Sequence, residues 1–414
     1  MKNDIVIIEG RRTPFVRSNG RFANHSNLEL AIHSVNALLN STPLPPEKVD
    51  TLIYGHVVLD PRVPQLAREI ALQTPLSAST RAVSLNDNCI SALSAAEYGV
   101  WTLQNTNAKY AIIGGVESMS NPALGFKDSA RRIFMKANKA KTFGERLKIF
   151  AKLRPHHFAP QAPGVKEPST GKSMGEHCEE MVKQWKISRE AQDQWAFESQ
   201  QKAAYATEVG SLKEEIAPLD GLTFDDTIRG DTTLAKLAKL RPSFDKSSAG
   251  SITAGSSSPL TDGAASVLMA TRETAEADGL KSLAIIKDME FAAIEPDEGL
   301  LMAPALAVPR LLARNNLTLN DIDLIEIHEA FAGQVLCNLA AWENGWKEPA
   351  IGKADRSKIN INGGSIALGH PFAATGARIL TTLAHELARQ NKQYGLISIC
   401  GAGATAGAFL LEKA

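Results

Sequence analysis

The sequence predicts an α/β protein built from two similar halves. Apolar runs of four to six residues alternate with longer stretches of helix-forming residues, the pattern of strands connected by helices. The chain has 414 residues, 44% hydrophobic and 22% charged, a composition typical of a globular protein with a large core. A similar order of short motifs occurs once in each half of the chain, which indicates that the architecture repeats.

The first group of predicted elements consists of short apolar runs. Six of them are predicted to be strands: Asp4–Ile8, Thr51–Tyr54, Tyr110–Ile113, Ser266–Ala270, Leu324–Ile327 and Leu396–Ile399. Ser91–Thr106 and Thr375–Arg389 carry helix-forming residues without an internal proline and are predicted to be helices. Residues 122–248 are rich in charge and proline with little strand pattern, so we interpret them as an inserted region of helices and loops.

The repeat is most visible around two strands. Val49–Tyr54 resembles Ile322–Ile327, and each is followed by a motif-bearing turn, a small-residue helix and a strand that ends in glycine. The turns carry Cys89 in the first half and His370 in the second. Two halves that face one another could each donate catalytic groups to a shared cleft. The alternative is that any two strand–helix–strand units look alike.

The inserted region contains a strongly basic segment, although the whole chain is neutral with 45 Lys+Arg and 45 Asp+Glu. Lys127–Arg154 has ten basic and two acidic residues, a local excess of eight positive charges. Its apolar residues recur at helical spacing: Phe143, Leu147, Phe150 and Leu153. This basic amphipathic segment is a candidate for an anionic membrane surface, a polyanionic ligand or a partner protein. A solvated helix whose apolar stripe packs on its own domain is the alternative.

Composition and charge argue against several classes of protein. Neutral net charge gives no overall attraction to nucleic acid. The four cysteines are widely separated and form no C-x-x-C pair, so neither a disulfide scaffold nor a zinc site is predicted, and a reducing compartment is favoured. The N-terminus lacks the pattern of a signal peptide, and no window approaches about 18 apolar residues. We therefore expect a cytoplasmic protein.

Two motifs point to thiol chemistry. Cys89 follows Asn86-Asp87-Asn88 and precedes a small-residue helix, where the helix dipole and free N–H groups favour a thiolate. A buried, unreactive thiol is the alternative for this residue. His370 follows a glycine-rich turn and precedes Pro371 at the start of a helix, which holds its imidazole rigidly beside backbone that a ligand can approach.

Two further residues lie at strand ends. His328-Glu329 follows a predicted strand, but a zinc-protease motif would need a second histidine at position 332, which is alanine. The glycine-rich run 401–407 leaves too little chain for a dinucleotide-binding unit, while Cys400 beside it is placed for chemistry. Two thiols and two imidazoles form a set suited to acyl transfer: nucleophile, base, proton donor and oxyanion donor.

With these residues the chain resembles the thiolase family along its whole length. The matching blocks occur in the family's order: Arg12-Thr13-Pro14-Phe15, Asn88-Cys89-Ile90-Ser91, Gly114-Gly115-Val116-Glu117-Ser118-Met119-Ser120, Ala238-Lys239-Leu240-Arg241-Pro242, Thr253-Ala254-Gly255, Asp262-Gly263-Ala264-Ala265, His328-Glu329-Ala330-Phe331 and Gly369-His370-Pro371. The resemblance implies a thiolase fold, with two βαβαβαββ halves in a five-layer α/β/α/β/α core. It places the N-terminal half at 1–121, completed by about 249–273, a loop domain at 122–248 and the C-terminal half at 274–414.

The resemblance also implies the reaction. A 3-ketoacyl-CoA thiolase, or acetyl-CoA C-acyltransferase, cleaves a 3-ketoacyl-CoA with CoA to acetyl-CoA and a shortened acyl-CoA in fatty-acid β-oxidation. Cys89, activated by His370, would attack the 3-keto carbon, and Cys400 would protonate the acetyl-CoA enolate. His328 and His370 would donate to the enolate oxygen. A second oxyanion hole would use the Cys89 N–H and a backbone N–H of the 400–402 turn. No metal and no permanently bound cofactor are implied; CoA is a co-substrate.

One residue distinguishes this chain within the family. Most thiolases have asparagine at the position of His328, and a histidine there resembles the β-subunits of trifunctional fatty-acid oxidation complexes. For CoA, the resemblance implies that Ser258 contacts the pantetheine and Arg229 the adenine side. Met174 and Phe331 would line the pantetheine and acyl path.

Other functions and partners follow from the same resemblance. A biosynthetic acetoacetyl-CoA thiolase and a non-catalytic lipid-binding protein with this fold stay open as alternatives. We expect a homodimer or larger oligomer, and a partner subunit with hydratase and 3-hydroxyacyl-CoA dehydrogenase activities. Segment 127–154 is expected to meet this partner or a membrane surface, and no nucleic-acid partner is expected.

Overall fold

The computed structural model describes residues 4–161, 163–164 and 166–414. They form two compact units: a larger one with the residues up to Val57, Gln65–Asn121 and Lys166–Ala414, and a smaller one with Val58–Pro64 and the residues from Pro122 to Gly164. The helices are α1 Asn27–Asn40, α2 Leu66–Leu72, α3 Ser91–Asn105, α4 Asp128–Lys139, α5 Phe143–Phe150, α6 Met174–Gln184, α7 Arg189–Val209, α8 Leu234–Ala238, α9 Arg272–Ala277, α10 Pro304–Arg314, α11 Ala332–Asn344, α12 Ser365–Leu368 and α13 Thr375–Gln390. The strands are β1 Ile5–Arg12, β2 Val16–Arg17, β3 Thr51–Gly55, β4 Arg81–Leu85, β5 Tyr110–Glu117, β6 Gly125–Phe126, β7 Pro160–Gln161, β8 Thr261–Thr271, β9 Ala284–Ala293, β10 Leu324–Ile327, β11 Tyr394–Gly401 and β12 Thr405–Lys413.

The strands of the larger unit form one hydrogen-bonded sheet in the order β10-β11-β12-β9-β1-β8-β5-β3-β4, with β2 paired to β8. The first half has the order β4-β3-β5-β8-β1, in which β4, β3 and β5 are parallel and the later pairs antiparallel. The second half repeats this order and these directions as β10-β11-β12-β9. Ile359 makes a parallel bridge to Ile325 at the place that β4 occupies in the first half. The internal repeat predicted from the sequence is therefore confirmed.

Helices α3 and α13 pack closely against each other, which explains the small residues in their sequences. The side chains of β3, β5 and β8 are buried along their whole length, as expected for strands covered on both faces. α13 packs against strands of both halves and against α3. A Cβ on Gly376 would lie 3.0 Å from the backbone nitrogen of Leu93, so glycine allows the two helices to approach closely. The core is therefore shared between the two halves.

The predicted elements agree with the observed ones in type. Five of the six predicted strands lie inside observed strands, and the first begins at Ile5 rather than Asp4. Predicted helices Ser91–Thr106 and Thr375–Arg389 correspond to α3 and α13. The glycine-rich run after Cys400 is the turn of a hairpin between β11 and β12, with Gly403 and Ala404 in left-handed conformations. Strands β4, β9 and β12 are absent from the predicted set, as are the two-residue strands β2, β6 and β7.

The smaller unit contains the basic segment, which forms two helices rather than one. Thr142 caps α5 through a reciprocal pair of hydrogen bonds with Glu145, and this capping box starts a new helix after residue 141. The Phe134 ring contacts Phe126 and Phe150 at centroid distances of 5.0 and 6.2 Å. Phe143, at the start of the apolar stripe, is 80% exposed. The apolar stripe is therefore mostly solvent-accessible.

The domain boundaries predicted at 121, 248 and 274 stay predictions.

Among the helices that the structure describes, none combines the length and the apolar character needed to cross a bilayer.

Candidate active site

The four residues predicted to carry the chemistry lie together, and three of them lie at or after the carboxyl ends of parallel strands. His328 directly follows β10, Cys400 lies at the end of β11, and Cys89 lies between β4 and α3. His370 lies in the turn between α12 and α13. One ligand atom from each of Cys89, His328 and His370 falls within 4.8 Å of the others. Burial raises the pKa of Cys400, and the nearby Cys89 raises it further, so the second thiol belongs to the same cluster.

A tight loop holds Cys89 at the start of α3. The preceding residue, Asn88, has φ 48°, and its side-chain amide donates to the carbonyl of Ala402 at 3.0 Å. Ser91 Oγ donates to the Asn88 carbonyl at 2.7 Å and accepts from the Asp87 N–H at 2.8 Å. Burial raises the pKa of the Cys89 thiol, and hydrogen bonds from the backbone N–H groups of Ala402 and of Cys89 itself offset part of this increase. The turns of the two halves thus meet around one sulfur atom.

Cys89 and His370 form a neutral pair. Cys89 Sγ lies 3.2 Å from His370 Nε2. Burial raises the pKa of Cys89 to about 12, although part of the residue reaches solvent. Burial, and then the charge of Arg378, lower the pKa of His370 to about 3. Desolvation therefore outweighs the helix N-terminus that the sequence suggested would favour a thiolate, and the thiol must lose its proton to His370 as it attacks.

The second ring nitrogen of His370 identifies its tautomer. Nδ1 lies 2.6 Å from the hydroxyl of Thr375, and that hydroxyl lies 3.5 Å from the carbonyl of Pro371, to which it can donate. Thr375 then accepts from Nδ1–H, which leaves a lone pair on Nε2 facing the Cys89 thiol. The His370 N–H donates to the Pro259 carbonyl at 3.2 Å. His370 is thus oriented as a general base toward Cys89.

His328 differs from His370 in having a free ring nitrogen. The residue is completely buried, and its ring lies 4.1 Å from that of His370. Nδ1 lies 2.8 Å from Ser365 Oγ, whereas Nε2 has no hydrogen-bond partner among the described residues. Burial and then the neighbouring His370 hold its pKa well below the usual range, so the imidazole is neutral. A buried polar atom without a partner is a place where a ligand atom can bind.

Glu329 anchors the His328 loop instead of acting as a metal-site base. Its Oε1 accepts from Trp195 Nε1 at 2.9 Å and from Asn360 Nδ2 at 2.8 Å. Its Oε2 accepts from Ser199 Oγ at 2.7 Å and from the Ile366 N–H at 3.2 Å. All four partners are donors, so Glu329 is bound as a carboxylate. This supports the rejection of a zinc-protease motif at His328-Glu329.

A metal ion was not expected from the sequence, yet one group of ligands is close enough to hold one. Within the described ranges it is the group of Cys89, His328 and His370. Thiolate and imidazole ligands suit zinc. Because Cys89 and His370 are hydrogen-bonded to each other, an ion bound here would compete with proton transfer between them.

Two of the four residues predicted to bind CoA lie beside the catalytic group. Ser258 and Phe331 lie close together beside the catalytic group: Ser258 N–H donates to the Ala330 carbonyl at 3.0 Å, and neighbouring Ser257 bridges Phe331. A bridge between Leu260 and His370 joins the same segment to the catalytic turn.

The other two residues predicted to bind CoA, Met174 and Arg229, lie at the start of α6 and in the loop before α8. Half-buried Met174 begins α6, next to Gly175, where a Cβ would overlap the ring of Phe244. The Phe244 ring meets Phe331 edge-on at 5.6 Å, so Phe244 lies between Phe331 and the start of α6, where Met174 is. Arg229 is exposed; its backbone N–H donates to Gln200 Oε1 at 2.7 Å, and no contact recorded for the described residues joins its side chain to the catalytic four.

Several residues of the site were missed by sequence reasoning. Thr375 is five residues from its partner His370, so its hydroxyl was an available signal, whereas Ser365 is 37 residues from its partner His328 and gave none. Phe244 belongs to no motif and could not be found without the fold.

Comparison with known proteins agrees with this geometry. The thiolase N-terminal domain family matches residues 5–273, and the thiolase C-terminal domain family matches residues 280–413. The chain is 40% identical to the 3-ketoacyl-CoA thiolases of Escherichia fergusonii and Klebsiella pneumoniae, over 99% of this chain and 96% of each relative.

Solved structures give the same result. Bacillus anthracis acetyl-CoA acetyltransferase is 29% identical with a TM-score of 0.87, over 100% of this chain and 99% of that one. Human mitochondrial 3-ketoacyl-CoA thiolase in complex with CoA is 27% identical with a TM-score of 0.86, over 100% of this chain and 98% of that one. The predicted fold class is confirmed, and the chain belongs to the thiolase family.

Proposed function

We propose that this chain is a 3-ketoacyl-CoA thiolase that acts in fatty-acid β-oxidation. The observation that supports this most directly is the neutral Cys89–His370 pair at 3.2 Å beside the unpartnered, buried Nε2 of His328. A nucleophile with its base and a free oxyanion donor is the set that acyl transfer needs. The relatives named 3-ketoacyl-CoA thiolase cover almost the whole chain.

In the first half-reaction, Cys89 attacks the 3-keto carbon while its proton moves to His370 Nε2. The tetrahedral intermediate then collapses: the bond between the α- and β-carbons breaks, and its electron pair leaves as the acetyl-CoA enolate. Because a thioester α-carbon is a weak acid, the enolate needs stabilisation. His328 Nε2 and the newly protonated His370 Nε2 donate to its oxygen, and Cys400 supplies a proton to its carbon.

In the second half-reaction, CoA removes the shortened acyl group from Cys89. The CoA thiol gives up its proton to the Cys400 thiolate that the first half-reaction leaves, and its sulfur attacks the acyl carbon. The tetrahedral intermediate then expels the Cys89 sulfur, which takes back its proton from His370. This proton returns readily because burial, and then the charge of Arg378, lower the pKa of His370 to about 3 and so favour its neutral form. No permanently bound cofactor takes part. Ser258, Met174 and Phe331 would line the pantetheine and acyl path, and Arg229 would reach the adenine side.

The nucleophile can be tested by substitution. Cys89→Ala should abolish thiolysis of 3-ketoacyl-CoA, and the wild type incubated with substrate should carry an acyl mass on Cys89. Cys337→Ala, which changes a fully buried thiol on α11, is the control and should retain activity. Measurable turnover by Cys89→Ala would remove Cys89 as the nucleophile, and acyl-CoA binding without any adduct would favour a non-catalytic lipid-binding protein.

A biosynthetic acetoacetyl-CoA thiolase is the second candidate, favoured by the likeness to the Bacillus anthracis acetyl-CoA acetyltransferase structure. The two functions differ in the acyl chain that they accept. Thiolysis of substrates with four and sixteen carbons distinguishes them: activity on both supports the degradative enzyme, and activity on the short substrate alone supports the biosynthetic one.

We also propose how the smaller unit is used. Phe143 and Leu147 are 80% and 59% exposed on a segment with an excess of eight positive charges, which favours contact with an anionic membrane surface or a partner subunit. The proposal includes a cytoplasmic homodimer or larger oligomer, associated with a subunit that carries hydratase and 3-hydroxyacyl-CoA dehydrogenase activities. Co-sedimentation with anionic liposomes tests the membrane contact. Reversing the charges of Lys136, Lys139 and Lys148 should abolish it, and an unchanged bound fraction would contradict it.

A further inference from the structure

The hydroxyl of Ser365 lies between a catalytic histidine and a buried arginine. Ser365 Oγ is 2.8 Å from His328 Nδ1 and 3.2 Å from Arg378 Nη2. Ser365, Arg378 and His328 are completely buried, so water does not compete for these bonds. The protonation pattern of this group can therefore be worked out from its donors and acceptors.

The guanidinium of Arg378 has only donors, so its Nη2–H must point at a lone pair of Ser365 Oγ. The Ser365 hydroxyl then has one proton to place. Within the described part of the chain, the acceptor recorded for that proton is His328 Nδ1. A buried hydroxyl that left its donor unused would lose free energy. Ser365 therefore donates to Nδ1, and the His328 proton resides on Nε2.

Arg378 is held in place from the other side. Its Nη1 lies 3.3 Å from Glu326 Oε2, in a pair whose side chains are 0% and 4% exposed. Glu326 lies in β10, and His328 directly follows that strand. The strand that carries the catalytic histidine thus also carries the group that positions Arg378.

We propose that Ser365, held by Arg378, is a positioning residue that sets the tautomer of His328 so that Nε2–H is directed at the substrate oxyanion. This inference rests on the proposed thiolase function for its substrate. It assigns opposite tautomers to two rings 4.1 Å apart. Thr375 accepts from His370 and leaves Nε2 as a base, whereas Ser365 donates to His328 and makes Nε2 a donor. Two hydroxyls thereby give two adjacent, neutral imidazoles different roles.

The tautomer is measured by NMR on the full-length enzyme labelled with ¹⁵N-histidine, in which the ring nitrogen shifts distinguish Nδ1–H from Nε2–H. The His328 signals are assigned from their loss in His328→Asn. In the wild type we expect the Nε2–H form, and in Ser365→Ala a mixture of the two forms. Ser34→Ala removes another completely buried hydroxyl, which bonds to Ser266 away from the site, and should leave the His328 signals unchanged.

Kinetics provide the second measurement. Ser365→Ala should lower kcat for thiolysis about tenfold, the effect of one net hydrogen bond, with KM unchanged. Ser365→Thr keeps the hydroxyl and should restore most of kcat, a rescue that a purely structural role does not predict.

The two measurements distinguish failure of this inference from failure of the proposed function. A wild-type His328 that carries its proton on Nδ1 overturns the inference, as does Ser365→Ala with the wild-type tautomer and kcat. If the wild type cleaves no 3-ketoacyl-CoA, the proposed function fails, while the NMR tautomer still decides whether Ser365 positions His328.

Discussion

The four hydrogen bonds to the buried Glu329 carboxylate make Glu329→Gln a sharp test of how the catalytic loop is held. Glutamine has nearly the same shape, but one of its terminal groups is an NH₂ donor. In either orientation of the amide, that NH₂ faces two donors. They are Trp195 Nε1–H and the Asn360 amide on one side, or the Ser199 hydroxyl and the Ile366 N–H on the other.

The expected cost follows from these contacts. Two buried donors lose their acceptor, at about 1 to 3 kcal/mol each, so Glu329→Gln should lower the free energy of unfolding by about 2 to 6 kcal/mol. Natural domains have about 5 to 15 kcal/mol in total, so the effect is a large part of the stability. Activity should fall as well, because Glu329 directly follows His328.

Urea unfolding followed by tryptophan fluorescence measures this difference at matched protein concentration. Glu343→Gln makes the same change at an exposed position on α11 and should stay within about 0.5 kcal/mol of the wild type. A loss below about 1 kcal/mol for Glu329→Gln would refute the hydrogen-bond accounting. Normal stability with lost activity would instead point to a direct role of the carboxylate in the reaction.

Two further substitutions test the buried charges and the close packing around the site. Burial raises the pKa of Glu326 from 4.5 to about 8 despite the neighbouring Arg378, so the folded state binds this proton more tightly and stability is lost as the pH rises through that window. Between pH 6 and 8 the wild type should therefore lose about 2 kcal/mol relative to Glu326→Gln in urea unfolding, and a constant difference would contradict this. Gly115→Ala would place a Cβ against the carbonyl of Ala373 in the catalytic turn. It should lower the free energy of unfolding by about 1 to 3 kcal/mol and reduce the rate of thiolysis. Gly144→Ala, in open space on α5, is its control, and equal stability of the two variants would rule out the clash.

Much of the fold could be predicted because its strands are short apolar runs between turns. The sequence did not predict β9 because Lys287, Asp288 and Glu290 interrupt its apolar pattern. These three residues lie in the middle of the strand, where Lys287 is exposed and the other two are partly buried. β4 is only half-buried and offers little apolar signal. The break between α4 and α5 was readable, since Thr142-x-x-Glu145 is a capping box.

The sequence predicted which residues carry the chemistry of the site, but it did not predict their protonation states. Cys89 was expected to be a thiolate because it precedes a helix, but the local dipole is weaker than the desolvation that the complete fold imposes. The Glu326–Arg378 pair joins residues 52 positions apart, and nothing in the local sequence of either residue identifies the other as its partner. Such contacts depend on how the two halves pack, which local patterns do not report.

The distribution of the catalytic groups along the chain has a consequence for biosynthesis. Cys89 and its base His370 are 281 positions apart, so at about 5 to 20 residues per second the thiol is made about 15 to 55 s before the base. Throughout this interval the nascent first half has no imidazole from the second half to activate its sulfur. β12 follows β9 and β11 in the chain and pairs with both, and the turn between β11 and β12 brings Ala402 to Cys89. Reactivity toward thioesters is therefore acquired only after the second half has been made and has packed on the first, which protects the nucleophile from premature acylation.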